Sequence, residues 1–352
     1  MLRQLIDYDE LGVFNMDFKK GLMLRQQVPV DAERITFNEL EEIDDMWIWL
    51  FREIHKKLNL SHSEVWMWGG KREVYYEDDF IERWYDQYPT DIYYPDLIFS
   101  RGGFKEYIPV MKSNPDAYKI YYGAIYKDRL NPSTVGDETK YDMILADSYE
   151  QFNDLKDDGY EPIKFLKPAC ENIFKPFDIS KKYDVVFIAN AKQKKIKGHE
   201  WFFNQMKDTG WRILQIGNTD KKLVKLAKKL KLDIKFTGWV PRKDIPLLAC
   251  TAKVGVCCSV GDSCPRVIPE MLAMGLPIVV KRSDKLFIWG DYFKYKGSKD
   301  VYNEVQFNET IKLFLNDYKS LNSFGFYVNK FSIDSTAEGI VDKILKDHRR
   351  KV

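Results

Sequence analysis

The chain has 352 residues, 45% of them hydrophobic, which is enough for two cores, and no apolar run approaches the roughly 20 residues of a membrane span. Its 55 basic and 53 acidic residues nearly cancel, so an electrostatic role must be local, and the balance counts against a nucleic-acid partner. Cys170, Cys250, Cys257, Cys258 and Cys264 show no paired spacing, and the N-terminus lacks a signal-peptide core, so free thiols and a cytoplasmic location are expected.

In chain order, the first 35 residues fit no clear strand–loop–helix unit. Asp7-Tyr8-Asp9 reads as surface rather than as a metal-binding pair, because no nucleotide-binding unit precedes it. Residues 38 to 58 place Ile43, Trp47, Leu50, Ile54 and Leu58 along one helical face, with charges on the other, as a core-facing helix does. DLIFS, YKIYYGAI and YDMILAD are strand-like runs; KEYIPVMK and SYEQFNDLKDDG read as helices. LNPSTVGDETK (130–140) is the best candidate for a mobile loop. Periodicity breaks in KPACENIFKPFDISKKYD, which puts a domain boundary near residue 178.

The second half alternates more regularly. DVVFIA, WRILQIG, DIKFTG, VGVCCS and PIVVK are strand runs. HEWFFNQMK, DKKLVKLAKKLKL, RKDIPLLAC and RVIPEMLAMG between them are helical, and NAKQKKIKG is a lysine-rich loop. This alternation predicts an α/β fold with parallel sheets covered on both faces, where ligands sit beyond the carboxyl ends of the strands. Residues 190–198, 217–220, 238–241 and 259–266 therefore carry the most functional interest. No His, Cys or carboxylate cluster has metal-ligand spacing. The lysines of 221 to 231 read as an ordinary solvated helix face.

SVGDSCPRVIPEMLAMGLPIVV (259–280) sets Asp262 in a loop and Glu270 near the start of a helix, with Pro269 tolerable only in its first turn. Two readings stay open on these residues alone. In one, Glu270 caps the helix while Asp262 is a loop acid. Alternatively, Glu270 accepts hydrogen bonds from vicinal hydroxyls and the helix terminus attracts a phosphate.

Taken with its flanks, this stretch resembles the Glu-x7-Glu motif of retaining GT-B glycosyltransferases, especially the large family 4. FTGWVPRKDIPLLACTAKVGVCCS is similar to that family's strand, Gly-x-Val-Pro turn, helix and strand. FIANAKQKKIKG resembles its Gly-Arg-x-x-x-x-Lys-Gly donor loop, with Lys197-Gly198 at the end and Lys192 where Arg is usual. YDMILADSYEQFNDLKDDG with IKFLKPACENIFKPF resembles the last N-domain strand and helix and the crossover. FSIDSTAEGIVDKIL resembles the closing helix. Asp262 replaces the first Glu, and Ser263-Cys264-Pro265 replaces Gly-Phe-Gly. The family's N-domain histidine has no match: YYGAI occupies that strand end, while His55, His62, His199 and His348 lie elsewhere. The glycine-rich loop after the first strand is also missing.

The resemblance implies a GT-B fold of two Rossmann-like domains facing across a cleft. Residues 1–178 would form the acceptor side, 179–330 the nucleotide-sugar-binding domain, and 331–352 a closing helix returning to the first. It implies a metal-independent, retaining glycosyltransferase that needs no cofactor beyond a UDP- or GDP-linked sugar. Its acceptor would be a glycan or glycolipid, which leaves peripheral membrane contact open. Asp262 would touch the donor sugar, and Lys197, Lys192 and Arg266 would meet the diphosphate. Glu270 would bind the ribose, and the main chain of Thr237 to Val240, including Gly238 and Trp239, would border the base. Gly198, Gly217, Ser263 and Cys264 complete the expected donor site. Arg101, Gly102 and Gly103, after DLIFS, face the acceptor side. Two rivals are a glycosyltransferase acting on nucleic acid and an inactive nucleotide-sugar-binding module.

Overall fold

The computed structural model describes residues 18–26, 45–68, 72–77, 79–85, 87–102, 105–123, 141–262, 264–283 and 288–351. Asp7 and Asp9, Ile43, Gly103, Ser263 and the 130–140 segment lie outside these residues.

The first half contains β1 (Lys20–Gln26), α1 (Met46–Lys57), β2 (His62–Trp68), β3 (Arg72–Glu77), β4 (Phe80–Tyr85), β5 (Leu97–Arg101), α2 (Ile108–Ser113), β6 (Tyr118–Tyr122), β7 (Met143–Ala146), α3 (Tyr149–Asp157) and β8 (Pro162–Lys164). These strands make an 8-stranded sheet in the order β3-β4-β2-β1-β5-β6-β7-β8. All its neighbours run parallel except β3 against β4. Leu97 to Ser100, all of β6 and all of β7 are buried, as expected of strands covered on both faces.

Five of these strands were not expected from sequence. One of them, β1, falls among the first 35 residues and sits inside the sheet between β2 and β5. The predicted helix is present as α1, capped by the Asp45 side chain on the Trp47 amide. Trp47, Leu50 and Ile54 are buried, and Leu58 packs against the same core.

The second half contains β9 (Tyr183–Ile188), α4 (Lys194–Lys197), α5 (His199–Met206), β10 (Ile213–Ile216), α6 (Lys221–Lys229), β11 (Ile234–Phe236), α7 (Ile245–Ala249), β12 (Ala252–Cys257), α8 (Val267–Ala273), β13 (Ile278–Lys281), β14 (Ser298–Val301), α9 (Glu304–Asp317), α10 (Phe324–Phe331) and α11 (Ile333–Lys351). Its strands form a 6-stranded, all-parallel sheet in the order β11-β10-β9-β12-β13-β14. The expected strands and helices are all there; β14, α9 and α10 are additions. The lysine-rich segment after β9 is not the open loop expected. The Asn190 side chain accepts the Lys192 amide at 3.0 Å, and a 3-10 turn over Ala191–Gln193 runs straight into α4.

Two crossings tie the halves together. Residues 165 to 182 lead from β8 to β9, and α11 returns to pack along α1, with Lys57 pairing to Asp334 at 2.7 Å. The Tyr118 hydroxyl donates to Asp347 at 2.8 Å. Glu171, in the first crossing, accepts from the Tyr327 hydroxyl and from the Ile333 amide. One buried cluster accordingly runs from Met23 and Trp47 through Phe174 to Met271, Tyr327 and Ile344. All five cysteines are free and buried.

Candidate active site

At the carboxyl ends of β9, β10 and β11 three loops converge. The Gly217 amide donates to the Gly238 carbonyl at 3.0 Å, and the Ala191 amide to the Asn218 carbonyl at 2.9 Å. Gly217 has φ 118°, and a Cβ there would lie 2.5 Å from the Ala189 carbonyl oxygen, so only glycine fits the crossing. Gly198 is more constrained still: φ is 71°, and a Cβ would stand 2.2 Å from the Cys258 carbonyl oxygen. The junction of α4 and α5 is thereby pressed onto the end of β12. The Val260 amide adds a hydrogen bond to the Ile196 carbonyl at 2.7 Å.

This contact brings Lys197 to Asp262, and the two side chains form an ion pair with about a quarter of each exposed. Residues 65 apart in sequence thus share one spot. A part-exposed pair of this kind is worth at most about 1 kcal/mol, so an incoming anion can take over the ammonium at little cost. The exposed Lys192 side chain stands at the start of the same segment. Arg266 is the N-cap residue of α8 and is exposed. Trp239 is 66% exposed beside the Gly217–Gly238 bridge, while Val240 packs against the core.

Glu270 is 5% exposed and lies in the first turn of α8. Its Oε1 accepts from Arg242 Nη2 at 2.6 Å, and the guanidinium lies over the Phe174 ring, 4.9 Å from its centroid. Neither acid caps a helix: Glu270 meets Arg242, Asp262 meets Lys197, and the α8 N-cap has no side-chain hydrogen bond. Arg242 and Phe174 were missed in the sequence. The only local signal was a basic residue directly after the Gly-x-Val-Pro turn.

A second network, also missed, crosses toward the first half. Asp147 follows β7 and is fully buried; its Oδ2 receives Lys167 Nζ at 2.6 Å and the Tyr122 hydroxyl at 2.8 Å. Burial alone would lower the Lys167 ammonium, but Asp147 and Tyr122 raise it well above the ordinary lysine range. Cys264, two residues past Asp262, lies within electrostatic reach of Lys167, and burial pushes its thiol up to about 12, which makes it a packing residue rather than a nucleophile. The Tyr292 hydroxyl donates to the Lys167 carbonyl at 3.0 Å, and Trp289 Nε1 to the Ala146 carbonyl at 3.2 Å.

On the expected acceptor side, the Arg101 guanidinium is 5.8 Å from the centroid of Trp47, and burial lowers its pKa. Gly102 is buried, and its amide donates to the Tyr122 carbonyl at 2.7 Å. His199 packs edge-on to Phe187 at 5.0 Å, and His55 bonds Ser63, so both serve the interior. Among the described residues no three His, Cys, Asp or Glu side chains gather as metal ligands. Among the same residues no helix is long and apolar enough to cross a membrane.

Residues 182–287 match the family described as Glycosyl transferases group 1. No curated protein sequence matches the chain. A glycosyltransferase from Rickettsia africae superposes with a TM-score of 0.68 at 12% identity, covering 94% of this chain and 99% of that one. Sucrose-phosphate synthase from Thermosynechococcus elongatus gives 0.66 at 11% identity, covering 95% and 100%. Anabaena HepE in complex with UDP and glucose gives 0.61 at 12% identity, covering 93% and 100%. Residues 182–287 thus resemble a group 1 glycosyltransferase domain, set in a chain whose two sheet-based halves have the GT-B fold.

Proposed function

We propose that the protein transfers a sugar from a UDP- or GDP-linked donor to a glycan or glycolipid acceptor, with retention and without a metal ion. The observation that carries this reading is a set of two acid–cation pairs, Lys197–Asp262 and Arg242–Glu270, drawn from the segments that follow β9, β11 and β12. Breaking a glycosyl–phosphate bond builds negative charge on the diphosphate and positive character on the sugar. Lys197, with Lys192 and Arg266, supplies fixed cations for the first, and Asp262 a carboxylate for the second. Glu270 keeps its second oxygen for the ribose hydroxyls, with Arg242 orienting the carboxylate from behind. The main chain at Gly238, Trp239 and Val240 borders the base. UDP in the Anabaena neighbour supports a uridine donor. Asp147, Lys167 and Tyr122, with Arg101 and Gly102, lie on the acceptor side.

Thermal shift across a panel of UDP- and GDP-sugars, followed by donor hydrolysis in EDTA, tests the proposal. At a hundred times Kd the correct donor stabilises the fold by about 2.7 kcal/mol. Its hydrolysis survives chelation. A panel with no stabilising member overturns the reading. So does activity abolished by EDTA and restored by magnesium or manganese. Binding without hydrolysis or transfer would leave an inactive nucleotide-sugar module.

A further inference from the structure

We propose that the exposed face of α6 docks the protein onto an anionic phospholipid surface. This goes beyond the donor reaction and rests on a separate observation. Residues 221 to 235 hold seven lysines against the single acid Asp233, a net +6, so the remainder of this +2 chain is −4. A chain that is nearly neutral as a whole therefore concentrates its positive charge on one element.

The geometry makes that charge a surface. Leu223 and Ala227 are buried, and Leu226 and Leu230 pack against the core, which fixes how the helix lies. At about 100° per residue, Lys221, Lys222, Lys225, Lys228 and Lys229 then fall within an arc of roughly 120° opposite that apolar side. All five are exposed. Lys231 extends the face just past the helix, held at φ 56°, where glycine or asparagine would be the easier residue. Lys235 adds to it from β11, the edge strand of its sheet.

Several lysines elsewhere are matched to acids, among them Lys57 to Asp334, Lys164 to Asp291, Lys167 to Asp147 and Lys253 to Asp184. Among the described residues none of the seven lysines of 221 to 235 has an ion-pair partner. Their charge is left for something outside the molecule.

The residue types choose the partner. Base readout and single-strand binding use arginine forks and stacked aromatic rings, and 221 to 235 contain neither arginine nor an aromatic residue. Flexible ammonium groups on a convex helix suit the diffuse negative charge of a bilayer surface. The Leu and Ala side faces the core, so the contact is electrostatic and reversible rather than an insertion. α6 starts four residues after Gly217, so its first turn lies beside the loops of the candidate site.

Sedimentation with vesicles tests the proposal at low salt. The protein should partition onto phosphatidylcholine vesicles containing phosphatidylglycerol, stay off pure phosphatidylcholine, and be released by high salt. With Lys225→Gln, Lys228→Gln and Lys229→Gln together, partitioning should fall about a hundredfold, at about fivefold per lysine. Circular dichroism confirms that the variant folds, since glutamine is as good a helix former as lysine. Calorimetry with UDP or GDP separates this idea from the donor reading, because the triple variant should bind nucleotide as the parent does. Absence of vesicle binding, or equal binding by the triple variant, overturns the proposal. Tighter binding to a short DNA or RNA duplex than to the vesicles at the same salt overturns it too, in favour of nucleic acid.

Discussion

Glu270 and Asp262 face different cations in different degrees of burial, and their substitution should separate accordingly. Glu270→Gln weakens a hydrogen-bonding acceptor for the ribose, so binding of the free nucleoside diphosphate should fall by about 1–3 kcal/mol. Asp262→Asn should leave that binding nearly intact and cut transfer, because Asp262 is assigned to the sugar. Calorimetry with the diphosphate, run beside a transfer assay, reads both. Equal weakening by the two variants would refute the division of roles. For Lys197→Ala the expectation is a turnover about a hundredfold lower, since charge on the leaving diphosphate is largest in the transition state. Folding stability should change by no more than about 1 kcal/mol, because Asp262 is open enough for water to replace the ammonium. Unchanged turnover would return Lys197 to a surface role.

At the scale of elements, the α4–α5 junction hangs on Gly198. Alanine there meets both a left-handed backbone and a carbonyl oxygen 2.2 Å from its Cβ. Gly198→Ala should cost at least about 2 kcal/mol and pull Lys197 away from Asp262, which chemical denaturation and turnover would register together. A variant as stable as the parent would show that the junction has room to move. Sequence revealed the second sheet well because its strands are β-branched runs spaced by amphipathic helices. It hid β2 and β4 because each carries a buried acid, Glu64 and Glu82, where alternation leads one to expect an apolar residue. Glu64 is made tolerable by Arg83 at 3.2 Å and by the Trp66 indole at 2.5 Å. Arg83 lies on β4, a different strand, and no local pattern reports it. The site divides the same way. Spacing singles out Asp262 and Glu270, but their partners stand 65 and 28 residues away and emerge only with the fold.

Across the whole molecule, Asp147 and Lys167 hold the wall where the two halves meet. Both are buried, and the raised Lys167 pKa keeps its ammonium charged throughout the neutral range. Lys167→Met strands a carboxylate out of reach of water and should cost about 3–5 kcal/mol, or roughly 4–7 °C in Tm for a chain of this size. Adding Asp147→Asn should restore much of that loss, since the orphaned charge goes with it. A single variant with the parent's Tm would mean that water reaches Asp147 after all.

The return of α11 to α1 has a consequence for how the protein is made. On the ribosome, α1 emerges roughly 280 residues before α11, the helix that packs along it, an interval of tens of seconds at ordinary elongation rates. During that interval the second sheet, whose strands and helices are neighbours in sequence, can fold on its own as each unit is extruded. The half that is synthesised first is therefore the half that matures last. It spends its nascent life with one side of α1 uncovered, a natural client for a chaperone until the final helix arrives.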